Sequence, residues 1–565
     1  MVDKIRKRDV IFLIYIWIIS SLMIAFSISC GALDRDGNII WTSNRVLWTT
    51  FLALGGGVLC TLLCMFVMKW LKKQGNKAGL DLEVVTGKLP KWTWLSFGAV
   101  FVGWLPAFFA FYPALCSYDS EGFFFQLVYD SYNNHHPIAY TLIVEAFYYL
   151  GEALFDSYTI GIALFTLIQM LLLAFSVSFF IRTIYRACSR RWLFIFLTAL
   201  FALHPMNAYM SVTMTKDIYF TAGMLFSFSV LFIRLFLEES KKEKWKNDCV
   251  FILGLVLVVL FRSNGRYCVL ATLLVEVICI LFYKAKRKDI LRIFLATMIG
   301  FVIGMMGVSM LDKVTNAQEV DKREMFSLPA QQMARVVHFH KEELSEETMQ
   351  QIETVIWPSS LYLYNQRTAR FVKQDVISYE ILHYPKKYLT LYWELFKDYP
   401  GEYVNAFLGL YSGFLNPWDE SHIRINEGFD GILPDDYHYI QTAFTLTDRF
   451  MVDDAPLSET LHKVYCWYAN NDIYMKIPII SFLFVPGVYL WILLYSFGIL
   501  VYQKKSICCI PCALVFAYFL TFFLGPTVQL RYIFPIMVCT PGIILFTLIR
   551  MRRKEDEINN TNSLL

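Results

Sequence analysis

"VFILGLVLVVLFRSNGRYCVLATLLVEVICILFY" runs from Val250 to Tyr283. About 20 apolar residues suffice to cross a bilayer as a helix, so this run is too long for one straight crossing. "RSNGR" (Arg262 to Arg266) sits in its middle with a Ser-Asn-Gly turn signal. The stretch reads as a helical hairpin in a membrane, with two arginines at its tip. The rest of the chain agrees with that environment. Of 565 residues, 57% are hydrophobic and only 17% charged, outside the usual range of soluble globular proteins. The chain is therefore an all-α polytopic membrane protein. Its net charge of +4 is small and gives no case for nucleic acid. The thirteen cysteines lie mostly in apolar runs, where a thiol acts as a small hydrophobe, and only Cys116 and Cys466 are expected to face the exterior. No disulfide framework is indicated. Cys508, Cys509 and Cys512 lack a histidine or a second Cys pair and read as packing thiols.

Apolar runs near 10–30, 46–70, 93–115, 158–181, 192–210, 218–237, 248–262, 267–283, 291–311, 477–502, 507–525 and 530–549 predict about twelve spans. Lys4, Arg6, Lys7 and Arg8 precede the first run, which reads as an uncleaved span with its N-terminus inside. Alternation then puts the loops Lys69 to Lys91, Arg182 to Arg191, Lys241 to Lys246 and Lys284 to Arg292 inside, with Lys504, Lys505 and the Arg550 to Lys554 tail. One apolar segment, Ile138 to Phe155, is excluded, because counting it would push the arginines of 182–191 outside. It carries Glu145 and Glu152, starts after Pro137, and reads as a helix in the outer interface. Residues 1–91 hold two spans and an inside loop, and 92–310 a membrane core with an external loop at 116–157. Residues 311–475 lose the long apolar runs and read as a mostly helical extracytoplasmic domain, for instance along Lys341 to Ile356. Within it, Tyr403 to Leu415 is too short to span and is expected on the membrane face. Residues 476–565 hold three last spans and a tail.

The external loop contains "YDSEGFFFQLVYDSYNNHHPIAY" (Tyr118 to Tyr140), three acids and two histidines without a lysine or arginine in the stretch. A helix there would align Asp119, Gln126, Asp130 and Asn133 on one face, with Phe124, Phe125, Leu127 and Val128 opposite. The bland reading is a solvated amphipathic helix. His135 and His136 at the next helix start could donate to a phosphate or simply cap. Lys216 and Asp217 in "TMTKD", Arg262, Arg266, and Arg531 in "VQLRY" all fall at outer span ends against the positive-inside tendency, where a charge is costly unless it is used. Cations at that depth suit a lipid phosphate or diphosphate held in the leaflet. A carboxylate suits a base for an acceptor hydroxyl.

These residues resemble the GT-C superfamily of integral membrane glycosyltransferases, similar to its protein mannosyltransferase and aminoarabinose transferase members. Asp119 and "HHP" (His135 to Pro137) match, in order and spacing, an acid in the first external loop followed by a His-Pro element. "TKD" resembles a second acidic site, and Arg531, Tyr532 and Pro535 resemble a motif near the end. Two departures stand out: two extra spans precede the catalytic loop, and the external domain comes before the last three spans. The resemblance implies a GT-C-like bundle in a bacterial plasma membrane. It also implies a transferase moving a sugar from a polyprenyl-phosphate carrier to a cell-envelope glycan, lipid or protein on the outer face. Asp119 would then be the base, with Glu121 or Asp217 orienting the acceptor. Arg262, Arg266, Arg531, Tyr532, Lys216, His135 and His136 would hold the donor phosphate. A divalent metal (Mg or Mn) on Asp119 and Asp217 is optional, since the cations could neutralise the phosphate themselves. Gln126, Asp130, and Gln331, Gln332 and Arg335 in "PAQQMARVV" are candidates for acceptor or sugar, the last three equally readable as a packed helix start. Trp418 reads more readily as an interfacial aromatic than as a sugar platform. A lipid-linked saccharide flippase or polymerase, or another polytopic transporter, is the competing class; the repeated halves of a transporter are not seen.

Overall fold

The computed structural model describes residues 7–34, 36–78, 90–116, 118–237, 239–283, 287–320, 322–419, 450–453, 455–471, 473–477, 480–503 and 509–548. The basic anchors expected at Lys4, Arg6, Lys504, Lys505 and 550–554 lie outside these, as does Cys508. Among the described residues all regular structure is helical, and β pairing is limited to isolated bridges.

The helices in chain order are α1 (Lys7–Gly31), α2 (Ser43–Ala78), α3 (Pro90–Ala110), α4 (Tyr118–Val128), α5 (Ile138–Phe155), α6 (Tyr158–Cys188) and α7 (Arg191–Leu203). There follow α8 (Pro205–Val212), α9 (Asp217–Phe236), α10 (Lys241–Phe261), α11 (Gly265–Phe282), α12 (Arg287–Val314) and α13 (Ser327–His340). Helices at Pro486–Tyr502, Cys509–Leu520 and Leu530–Leu548 close the bundle.

By length and hydropathy, nine helices among the described residues could cross a membrane, or ten with the bent pair at 191–212 counted as one span, so the chain is a multi-pass membrane protein. The run at 192–210 breaks by 54° between α7 and α8, where Pro205 supplies no N–H to continue the helix. The run at 477–502 becomes one helix only from Pro486, and 507–525 ends in a 3-10 turn at Thr521–Leu524. The apolar stretch at 248–262 is the second half of α10, whose first turns are charged.

The hairpin at Arg262–Arg266 forms as expected, between α10 and α11. A Cβ on Gly265 would lie 1.9 Å from the Val258 carbonyl oxygen, so only glycine lets the chain turn this tightly.

The segment Ile138 to Phe155 is apolar and long enough to cross, yet it pairs with only the first part of α6. Tyr140 meets Phe165 and Gln169, Tyr148 stacks on Tyr158 at 4.1 Å, and Gly151 lies against Gly161. Beyond Gln169, α6 continues to Cys188 without α5 and packs on other helices, as where Ser178 bonds Ser96 and the Thr93 carbonyl of α3. α5 thus starts at the depth of Gln169 and runs along the first part of α6, with Tyr148 also against Phe124 and donating to the Phe450 carbonyl.

Residues Ala330 to Tyr403 build a second apolar core around Met333, Val336, Ile352, Val372 and Leu391. Lys341 to Ile356 is helical only in part, with a 3-10 turn at Lys341–Glu343 and a helix at Glu346–Glu353. The helix Pro400–Leu415 corrects the expectation of a segment on the membrane face. Leu408, Leu410, Tyr411, Phe414 and Leu415 are buried in the main core, and the Tyr411 hydroxyl donates to the Phe523 and Gly525 carbonyls.

Candidate functional site

Five helix ends converge at one end of the bundle: the start of α4, the starts of α5 and α9, the α10–α11 tip, and the start of Leu530–Leu548. Each carries a charged or polar side chain, and the chain positions them by local rules. Leu115 pairs with Thr213, and the Met214 amide donates to the Leu115 carbonyl at 2.8 Å, which sets α4 beside the α8–α9 turn. Asp217 opens α9, where a carboxylate is favoured by the helix dipole. Arg262 is the C-terminal cap of α10, and Arg531 lies in the first turn of its helix.

The centre is Asp119. One oxygen, Oδ2, accepts from both Lys216 Nζ and Arg531 Nη1, each at 2.9 Å. Lys216 Nζ also lies 2.7 Å from His136 Nδ1, and His136 Nε2 is 3.9 Å from Asp119 Oδ1. Arg531 Nε donates to Gln529 at 2.8 Å. Beneath this group, Arg262 donates to Asp217 Oδ1 at 2.6 Å and to the Tyr518 hydroxyl, and its guanidinium lies 4.9 Å from the Tyr532 ring. The other Asp217 oxygen accepts from Thr215 at 3.1 Å. Asp217 is sealed at 1% side-chain exposure, whereas Asp119, Lys216 and His136 keep 13–14% and form the rim.

Burial alone would raise the Asp119 carboxyl, but the Arg531 and Lys216 cations outweigh it and hold the group well below the usual carboxylate range. Burial and then Lys216 push the His136 imidazole well below its ordinary value, so it is neutral near pH 7. Three cations face two carboxylates, leaving one positive charge among the described side chains.

The stretch around Asp119 holds no lysine or arginine, yet its carboxylate meets two cations in the fold: its partners are distant in the chain and close in space. The expected polar stripe is corrected. α4 stops at Val128, with Asp130 left-handed at φ 49° and exposed beyond it. Gln126 is buried and accepts the Asn133 amide, holding the turn into "HHP". Glu121 lies on α4, its side chain outside those described. His135 stacks edge-on to His136 at the rim. Arg266 points away, exposed and bonded to the hydroxyl of Tyr267.

Gln331, Gln332 and Arg335 sit in the second core, not in this group. Gln331 donates to the Asn365 carbonyl, and Gln332 is held by Tyr403 and Tyr392. Arg335 is fully buried and binds Glu402, Tyr364, Asn38 and the Asp36 carbonyl, which fastens the α1–α2 loop to α13. Trp418 is exposed and lies edge-on to Phe482.

A divalent metal does not fit this donor set. The Asp119 oxygen Oδ2 and both Asp217 oxygens already accept from cations or Thr215, and three cations would repel a further one. Tyr518, Thr215 and Gln529 were missed. Gln529 had a visible signal, two residues before Arg531 in "VQLRY"; Tyr518 looked like any span aromatic.

Residues 130–562 match the sequence model described as a family of unknown function (DUF6020). That match takes in His136, Lys216, Asp217, Arg262 and Arg531 and begins after Asp119. No curated protein and no solved structure matches the chain.

Proposed function

The chain belongs to the family of unknown function DUF6020, and from its site we propose a GT-C-like membrane glycosyltransferase that uses a polyprenyl-phosphate-linked sugar. The observation that carries this reading is the surplus of positive charge: Lys216, Arg262 and Arg531 meet at one bundle end around only two described carboxylates. A partly accessible, cation-rich cluster at a helix-bundle end suits an anionic headgroup whose tail lies in the leaflet.

The opposite end of the bundle supports an external site. It gathers Arg182, Arg186, Arg190 and Arg191 with Lys241, Lys242, Lys244 and Lys246 and with Arg287, Lys288 and Arg292. By the positive-inside tendency that end is cytoplasmic and the site is extracytoplasmic. The second core, whose residues continue from the outer end of α12, then forms an external domain.

In the reaction, the acceptor hydroxyl oxygen attacks the anomeric carbon as the bond from that carbon to the phosphate oxygen breaks. The departing phosphate keeps the electron pair and is stabilised by Lys216 and Arg531, with Arg262 behind them. The hydroxyl proton passes to Asp119. Direct attack inverts the anomeric centre.

The test uses cells lacking the protein, complemented with wild type or Arg531→Gln. Polyprenyl-phosphate-linked sugars extracted from the membrane should accumulate in the deletion and in Arg531→Gln, and return to normal with wild type. Unchanged lipid-linked sugars, or their mislocation between leaflets without a missing product, would overturn the transferase reading, the second outcome favouring a flippase.

A further inference from the structure

We propose that Asp119 is a built-in stand-in for the donor phosphate: it occupies the slot between Lys216 and Arg531 and is displaced when donor binds. This deepens the reading of those cations as a phosphate site and rests on it. Four observations lead here.

A single carboxylate oxygen bridges both cations at 2.9 Å. That is the geometry of a phosphate oxygen between two charge-assisted donors. Lys216 and Arg531 come from different helices, 97 and 412 residues from Asp119, so nothing in their local structure requires them to meet there. Arg531 keeps a second anchor, Gln529, and Lys216 a second contact, His136, so both stay in place if the carboxylate leaves. Arg262, by contrast, is tied to the sealed Asp217 and cannot release its partner in the same way.

The displaced carboxylate has somewhere to go. His136 Nε2 faces Asp119 Oδ1 at 3.9 Å, and an imidazole whose Nδ1 accepts from Lys216 carries its proton on Nε2. A small rotation of Asp119 toward His136 replaces two cations with one neutral donor. Beside a phosphate and off its cations, the carboxylate becomes a stronger base. Donor binding thus prepares the group that accepts the acceptor's proton, and a site without donor holds a weak base that does not activate water. This reconciles a tightly paired Asp119 with its role in transfer.

Two opposing effects follow for one substitution. Removing the charge at 119 abolishes the base, so turnover falls, yet it also removes the competitor, so donor affinity rises. A residue that merely supported the fold would lower both.

The experiment measures binding of farnesyl phosphate, with uncharged farnesol as control, to the full-length protein in nanodiscs. If the slot is occupied by Asp119 nine-tenths of the time or more, its removal uncovers a gain of about tenfold or more. Asp119→Asn should therefore bind farnesyl phosphate ~10-fold tighter than wild type, while Lys216→Gln and Arg531→Gln bind it ~10-fold more weakly. Asp119→Glu keeps the competing charge and should stay near wild type. Asp119→Ser is the second neutral variant should Asp119→Asn not fold. Phosphate-dependent binding that is lost in Arg531→Gln but unchanged or weakened in the neutral 119 variants would overturn the stand-in proposal and leave the phosphate site standing. Equal binding of farnesyl phosphate and farnesol by every protein would overturn both.

Discussion

The Asp217–Arg262 pair offers the sharpest test of the architecture beneath the rim. Asp217 and Arg262 are 1% and 10% exposed at the side chain and 2.6 Å apart. Removing one partner of a buried pair strands the other charge, which costs about 3–5 kcal/mol. Asp217→Asn retains a carbonyl oxygen that can accept one Arg262 hydrogen bond, and Arg262 keeps the Tyr518 hydroxyl and the faces of Tyr518 and Tyr532. Those contacts offset part of the loss, so the expected cost is about 2–4 kcal/mol. In the double variant Asp217→Asn/Arg262→Met no charge remains stranded, and stability should recover by at least ~1 kcal/mol relative to the sum of the single changes. The measurement is a double-mutant cycle by SDS-titrated unfolding of the protein in mixed micelles. A cost below ~1 kcal/mol for Asp217→Asn with additive single effects would show that the pair is not a buried tie, and would remove the fixed platform on which Arg262 was placed.

Arg531→Lys keeps the charge but loses the fork that donates in two directions at once, so donor binding should fall, by less than the ~10-fold of Arg531→Gln, whereas Arg190→Lys at the basic end should leave it unchanged; farnesyl phosphate titrations compare them. Arg335→Met removes the buried tie to Asn38 and Glu402, and limited proteolysis should then cut the α1–α2 loop faster than in wild type. His136 is depressed in the folded state, first by burial and then by Lys216, so the unfolded chain binds more protons once pH drops below its ordinary value of about 6.5. Thermal stability should accordingly decline as pH falls from ~6.5 toward ~5, and His136→Gln should flatten that decline; a wild-type curve level across this window would refute the assignment.

Much of the frame was legible because it depends on short-range pattern. Apolar runs announce helices that bury their own backbone bonds, "RSNGR" announces a turn, and lysines and arginines collect at one side of the membrane. The candidate cations were legible for the same reason: Lys216, Arg262 and Arg531 are exceptions to a local rule, each visible within its own segment. The break at Pro205, the shortened α4 and the partial pairing of α5 with α6 were not. They depend on which helix each segment meets, and apolar length says nothing of the partner.

Sequence alone therefore determined that this chain is helical, membrane-embedded and charged at one set of span ends. The tertiary structure decided what those charges do to one another. The stretch around Asp119 holds no cation, yet Lys216 and Arg531 arrive from 97 and 412 residues away. Arg335 looked available for a sugar, yet the α1–α2 loop folds back to use it up. Coulomb energy depends on distance in space, and only the packing of helix ends brings these side chains within hydrogen-bond reach or keeps them apart.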